Sequence, residues 1–167
     1  SPKAIVDQDG NIIFVWEAGT KDTTQFKKIH LQKLSPGGQL LWDDNVIISN
    51  DSMHCSQPNI LCCEDNNTII VWVEWGPKTA GSLLMYAYTQ KIDSDGDFVW
   101  QNKVAIDTLD NMPLNPFTPS LVSDGNNGFF VGWMAFPSPW YYTTYVQHIN
   151  ADGVAQWAHN GVSVSDS

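Results

Sequence analysis

The sequence predicts an all-β protein built from three four-stranded antiparallel units in tandem, and three observations predict it. Its 167 residues include eight tryptophans, five tyrosines and seven phenylalanines, and such an aromatic load beside many Val, Ile and Thr favours strands. The apolar runs are short and are punctuated by Gly, Asn, Asp and Pro at the spacings of all-β folds. Above all, the chain repeats itself three times.

Each repeat opens in the same way: PKAIVDQDGNIIFVW (Pro2 to Trp16), PNILCCEDNNTIIVW (Pro58 to Trp72) and PSLVSDGNNGFFVGW (Pro119 to Trp133), with tryptophan fourteen residues after proline. Each closes in the same way: QKLSPGGQLLW (Gln32 to Trp42), QKIDSDGDFVW (Gln90 to Trp100) and QHINADGVAQW (Gln147 to Trp157), with tryptophan ten residues after glutamine and four after Gly38, Gly96 or Gly153. Only the link from the first tryptophan to the glutamine varies, at 16, 18 and 14 residues. Length variation held to one place marks a surface loop between fixed strands.

Four strands per repeat follow, in the first repeat over about residues 4–6, 12–17, 26–34 and 39–48. The second is apolar on both sides, with Ile12, Phe14 and Trp16 against Ile13 and Val15. Such a strand is expected to be buried on both faces, inside a stack of sheets. Four-stranded units that cannot bury both faces alone are the blades of a β-propeller. The blades fall at residues 1–56, 57–117 and 118–167, and Trp16, Trp42, Trp72, Trp100, Trp133 and Trp157 are expected to fill the seams between them. A β-sandwich has no reason to repeat matched Pro, Trp, Gln and Gly positions. Three blades are too few for a closed ring, so the chain is expected to be a partial propeller cut from a longer one, since the repeats begin and end cleanly. The alternative is half of a six-bladed homodimer.

Eight Lys and Arg against 18 Asp and Glu give a net charge of −10. A surface of that sign repels nucleic acid and anionic lipid. No apolar run approaches the ~20 residues that cross a bilayer, so no membrane insertion is expected.

Four groups of residues are candidates for chemistry. Asp93, Asp95 and Asp97 alternate around Gly96 as calcium ligands do, but the other repeats place Ser35 and Asn150 where Asp93 stands, and all share a hairpin turn. An EF-type loop also needs glutamate at its twelfth position, which is Val104. Calcium is therefore the weaker reading, and no other cofactor is expected. His54, Cys55, Cys62 and Cys63 lack the paired spacing of a zinc site, whereas a disulfide from Cys55 to Cys62 or Cys63 suits an exported protein. For catalysis there is no G-x-S-x-G elbow, the histidines (His30, His54, His148, His159) are scattered, and Glu64 and Asp65 fall in a turn. The expectation is a non-enzymatic module. Finally, the loop MAFPSPWYYTTY carries Phe136, Trp140, Tyr141 and Tyr142, and its counterpart in the second repeat carries Trp75. Aromatic faces of this kind stack on sugar rings or on protein partners, or fold back to cover the blade edge.

The pattern P-x-hhh-x-D-x-x-G/N-x-hhhh-W, followed by Q-x-h-x-x-x-G-x-x-x-W, resembles blade repeats of large secreted or cell-surface proteins of Bacteroidota-type bacteria, the cargo of type IX secretion. The tripeptides Asp51-Ser52-Met53, Asp107-Thr108-Leu109 and Asp22-Thr23-Thr24 are similar to the O-glycosylation acceptors of such bacteria. The resemblance implies fold and an exported location, and carries no catalytic residues. Together these readings predict a scaffold or interaction module that binds a protein or glycan through blade loops. The alternatives are a lectin and an accessory propeller domain of a larger secreted hydrolase. Its partners would be a surface protein or glycan, and the remaining blades of the same chain or a second copy.

Overall fold

The computed structural model describes residues 1–19, 25–77, 83–108, 119–138 and 141–164, with side chains for all of these except 83, 136–138 and 141–142. Twelve strands form three antiparallel sheets. The first holds β1 (Lys3–Val6), β2 (Ile12–Ala18), β3 (Lys28–Leu34) and β4 (Val46–Ile48). The second holds β5 (His54–Cys62), β6 (Thr68–Pro77), β7 (Leu83–Ile92) and β8 (Val104–Asp107). The third holds β9 (Ser120–Ser123), β10 (Phe129–Ser138), β11 (Tyr141–Ile149) and β12 (Val162–Ser163). Within each sheet the strands lie side by side in chain order, which is the meander of a propeller blade. The first strands of successive blades touch, β1 with β5 and β5 with β9.

The core lies in the two seams between blades. Alternation along β6 divides it: Ile70 and Trp72 pack with Val15 and Leu31 of the first blade, while Ile69, Val71 and Val73 pack with Phe129 and Val131 of the third. Every residue from Thr68 to Glu74 is buried. In β2 only Ile13 and Val15 are buried, and Phe14 and Trp16 are half-exposed. The expected two-sided burial of this strand is therefore corrected: no other blade of this sequence packs on its Trp16 face. Two of the six framework tryptophans depart from the seams for that reason. Trp16 stacks at 5.7 Å on His30 of its own blade, and Trp157 is 41% exposed.

The fourth strand is also shorter than the sequence suggests. After one bridge, Leu34 to Leu40, the chain leaves the sheet and re-enters only at Val46. What holds this detour is the repeated glutamine. Gln32 donates through Nε2 to the Trp42 carbonyl and accepts from the Lys33 amide, and Gln90 does the same with Trp100 and Lys91. In the third blade Gln147 donates to the Ala158 carbonyl and accepts from the amides of His148 and Trp157. The clamp frees the tryptophan to swing across the seam, which is why glutamine and tryptophan keep a fixed interval.

At the end of the blades that carries the β1–β2 turns, Lys33 pairs with Asp7 at 2.9 Å, Lys91 with Asp65 at 2.7 Å and His148 with Asp124 at 2.7 Å. His148 thus fills a lysine's structural slot. Burial pushes Asp7 up, but hydrogen bonds from Lys33 and Asn11 outweigh it and hold the carboxyl below its ordinary range. Asp124 is likewise pushed up by burial and held below its range by His148 and the amides of Asn126 and Gly128.

Candidate functional site

The opposite end, where β2 runs into β3 and where the link from β4 enters β5, gathers a different set of groups. The main chain of Lys27 docks on the start of β5: its carbonyl accepts from the Cys55 amide at 2.9 Å, and its amide donates to His54 Nδ1 at 3.0 Å. With Nδ1 accepting, the imidazole proton sits on Nε2. Burial first, and the Lys27 charge second, hold His54 below 6.5, so the ring is neutral at pH 7. It lies flat against Trp75 at 4.2 Å, with the edge of Phe26 at 5.1 Å. Trp75 Nε1 donates to Ser56 Oγ at 3.0 Å, which fixes the indole.

Beside this stack stands Glu17, at the end of β2. Its Oε1 accepts from the Gln57 amide at 2.8 Å, and its Oε2 lies 3.5 Å from Lys27 Nζ. Gln57 sits at a bulge in β5 with φ of 55°, a left-handed backbone that costs a non-glycine residue energy. Among the described residues its Oε1 is buried without a hydrogen-bond partner. Behind the stack, opposite Cys55, Glu74 is 1% exposed and fully engaged: it accepts from Trp72 Nε1 at 3.1 Å, Asn50 Nδ2 at 2.7 Å and Lys103 Nζ at 2.5 Å. Lys103 also lies 3.9 Å over the Tyr88 ring, and a cleft of about 380 Å³ opens there, lined by Glu74, Lys103 and Phe98 among others. Among the described residues, the face brings together the accessible carboxylate of Glu17, the Glu74 carboxylate locked by three donors, the neutral imidazole of His54 and the fixed indole of Trp75. Polar groups set among aromatic rings suit the mixed apolar and hydroxyl surface of a sugar.

The structure places the sequence candidates as follows. Trp75 belongs to this face. The side chains of Phe136, Trp140, Tyr141 and Tyr142 lie outside the described residues. Asp93 caps its own turn, accepting through Oδ1 from the amides of Asp95 and Asp97, as Asn150 does from Asp152 and Val154. No group of three metal-ligating side chains is found among the described residues. The disulfide is corrected: all three cysteines are free thiols, because Cys55 and Cys62 stand at opposite ends of one extended strand, roughly 20 Å apart at the rise of a β-strand. Glu17, Glu74, Lys103 and the role of His54 escape a motif search. One signal pointed to Glu74, an acid at the end of the apolar run TIIVWVEW.

No known family model matches the sequence, and no curated protein matches it. Solved structures do match. The endo-arabinase from Bacteroides thetaiotaomicron VPI-5482 superposes with a TM-score of 0.63 over 99% of this chain and 61% of its own, at 10% identity. A thermostable family-43 glycoside hydrolase superposes with a TM-score of 0.63 over 100% of this chain and 54% of its own, at 13% identity. The fold is that of a partial β-propeller. The chain spans a little over half the length of these structures. The expectation of a non-enzymatic module is corrected by the same finding, since the two structures named are an endo-arabinase and a family-43 glycoside hydrolase.

Proposed function

We propose that this chain is part of a glycan-acting propeller of the glycoside hydrolase kind, and that the face built by Glu17, His54 and Trp75 handles the sugar. One observation carries the reading: a fold shared along its whole length with two glycoside hydrolases presents a carboxylate beside an aromatic and imidazole stack. Trp75 and Phe26 would give the apolar ring contacts. Glu17 and His54 Nε2 would give an acceptor and a donor for hydroxyl groups. Cleavage of a glycosidic bond needs a second carboxylate across the bond. Glu74 is held by three donors, so the second carboxylate would come from further blades.

Arabinan is the first substrate to try, because an endo-arabinase shares the fold. The repeat pattern and the Bacteroides source of that structure support an exported protein of a Bacteroidota-type bacterium, secreted or held at the cell surface. Affinity electrophoresis through gels cast with arabinan, xylan, mannan or glucan tests the reading. Retardation in at least one gel that Trp75→Ala and Glu17→Gln abolish supports it. Unretarded migration in all of them contradicts it.

A further inference from the structure

Both internal seams are closed by one junction. Trp42 Nε1 donates to the Ser94 carbonyl at 3.0 Å, with its indole over Gly96, and Trp100 Nε1 donates to the Ala151 carbonyl at 3.1 Å, with its indole over Gly153. The acceptor is each time two residues before the glycine. A Cβ on Gly96 would meet the Trp42 ring at 3.3 Å, and one on Gly153 would meet the Trp100 ring at 2.9 Å. Glycine is thus required twice over, for the indole above it and for a left-handed φ of 96° or 80°.

The chain carries one unused half of this junction on each outer blade. On the third, Trp157 is 41% exposed where Trp42 and Trp100 are 5% and 8%. Its Nε1 has no hydrogen-bond partner among the described residues. It borders an apolar groove of about 460 Å³ formed with Val146, Ala158, Val162 and Val164. On the first, Gly38 has the same left-handed backbone, with φ of 82°, yet nothing lies within 4 Å of where its Cβ would be. The carbonyl two residues before it belongs to the exposed Pro36. Close by, Phe14, Trp16, Leu34 and Leu40 line a second apolar groove of about 480 Å³.

We propose that the chain associates head to tail with a second copy of itself, Trp157 of one molecule seating on the Pro36–Gly38 turn of the other. A second copy is the occupant whose matching surface this chain already contains, and the contact continues an interface that the chain makes twice within itself. Two such contacts related by a twofold axis close the assembly. The new junction is weaker than the internal ones. Asn66 and Asn127 clasp the preceding blade's turn, through the Gln8 amide and the Asp65 amide, where the first blade has Gly10. Lys33 reaches across its seam to the Ser94 carbonyl, where the third blade has the shorter His148.

Sedimentation velocity over roughly 1 to 100 µM, a range suited to an association of this strength, tests the proposal. The expected mass rises with concentration from 18.6 kDa towards twice that value. Trp157→Ala and Gly38→Asn each stay monomeric. Asparagine tolerates the left-handed backbone and the space above Gly38 is open, so that variant keeps its fold, which near-UV circular dichroism verifies. An equal mixture of the two variants regains association, since one intact junction forms between them. A wild-type chain that stays monomeric throughout overturns the proposal and assigns the two faces to another occupant. Variants that associate like the wild type, or a mixture that does not recover, overturn the head-to-tail geometry.

Discussion

Trp100 donates its indole proton to the carbonyl of Ala151 in the next blade, at 3.1 Å, while its own carbonyl accepts from Gln90. The side chain is pinned from behind and bonded ahead, within the apolar seam between the second and third blades. Trp100→Ala, which leaves a cavity there, should cost about 3–5 kcal/mol. Trp157→Ala in the monomer should cost about 1 kcal/mol or less, since its ring is exposed. Urea unfolding at one low protein concentration compares them, and equal losses would show that the seams are not what holds the blades together.

Glu74 is buried with three donors aimed at it. Glu74→Leu strands Trp72 Nε1 and Asn50 Nδ2 and leaves Lys103 without its partner, so a loss of about 2–4 kcal/mol is expected. Lys103→Met should cost less, because the ammonium is more than a third exposed and already screened by water. Chemical denaturation ranks the two. A Lys103 loss larger than the Glu74 loss would mean that the carboxylate owes its burial to the lysine alone.

Acid should destabilise the protein in two stages. His54 and His30 are held below 6.5, chiefly by burial, so the unfolded chain takes up their protons first. Their contribution is complete above 6.5 and is lost as pH falls towards the lowered folded values. Asp7, Asp124 and Glu64 are held below the ordinary carboxylate range, Glu64 first by its hydrogen bond from Ser123. Their contribution is present above the unfolded carboxylate values and is lost as pH falls through the folded ones. Thermal melts between pH 8 and pH 3, values set by these two ranges, should show both declines. The first should shrink in His30→Phe, and a midpoint that rises from pH 7 to pH 5.5 would contradict the assignment.

The cysteines should be quiet. Burial pushes Cys55 and Cys63 up to about 12, while Cys62, half-buried, is raised less. A thiol reagent at neutral pH should label Cys62 slowly, and all three only after unfolding. A reductant should leave the melting temperature unchanged. A drop on reduction would restore the disulfide.

The sequence shows the fold well and the site poorly, for a physical reason. Pro2 to Trp16 and Gln32 to Trp42 recur because a clamp and a seam need fixed distances, and a repeated distance is visible in one chain. Phe14 and Trp16 are less buried than their periodicity predicts, because periodicity records what a strand can bury and not whether a neighbour is there. Glu17 and His54 stand 37 residues apart, and what ties them to one place is Lys27, whose Nζ lies against Glu17 and whose amide donates to His54 as it docks on β5. A contact made by docking two blades has no signature in either segment.

The most direct test of the sugar-binding face is a titration of the ¹⁵N-labelled chain with linear arabino-oligosaccharides, following the indole Nε1 resonances. The Trp75 signal is expected to move saturably while those of the buried Trp42, Trp72, Trp100 and Trp133 stay in place, and Glu17→Gln is expected to weaken the response. A titration that leaves Trp75 unmoved while other indoles shift would contradict it.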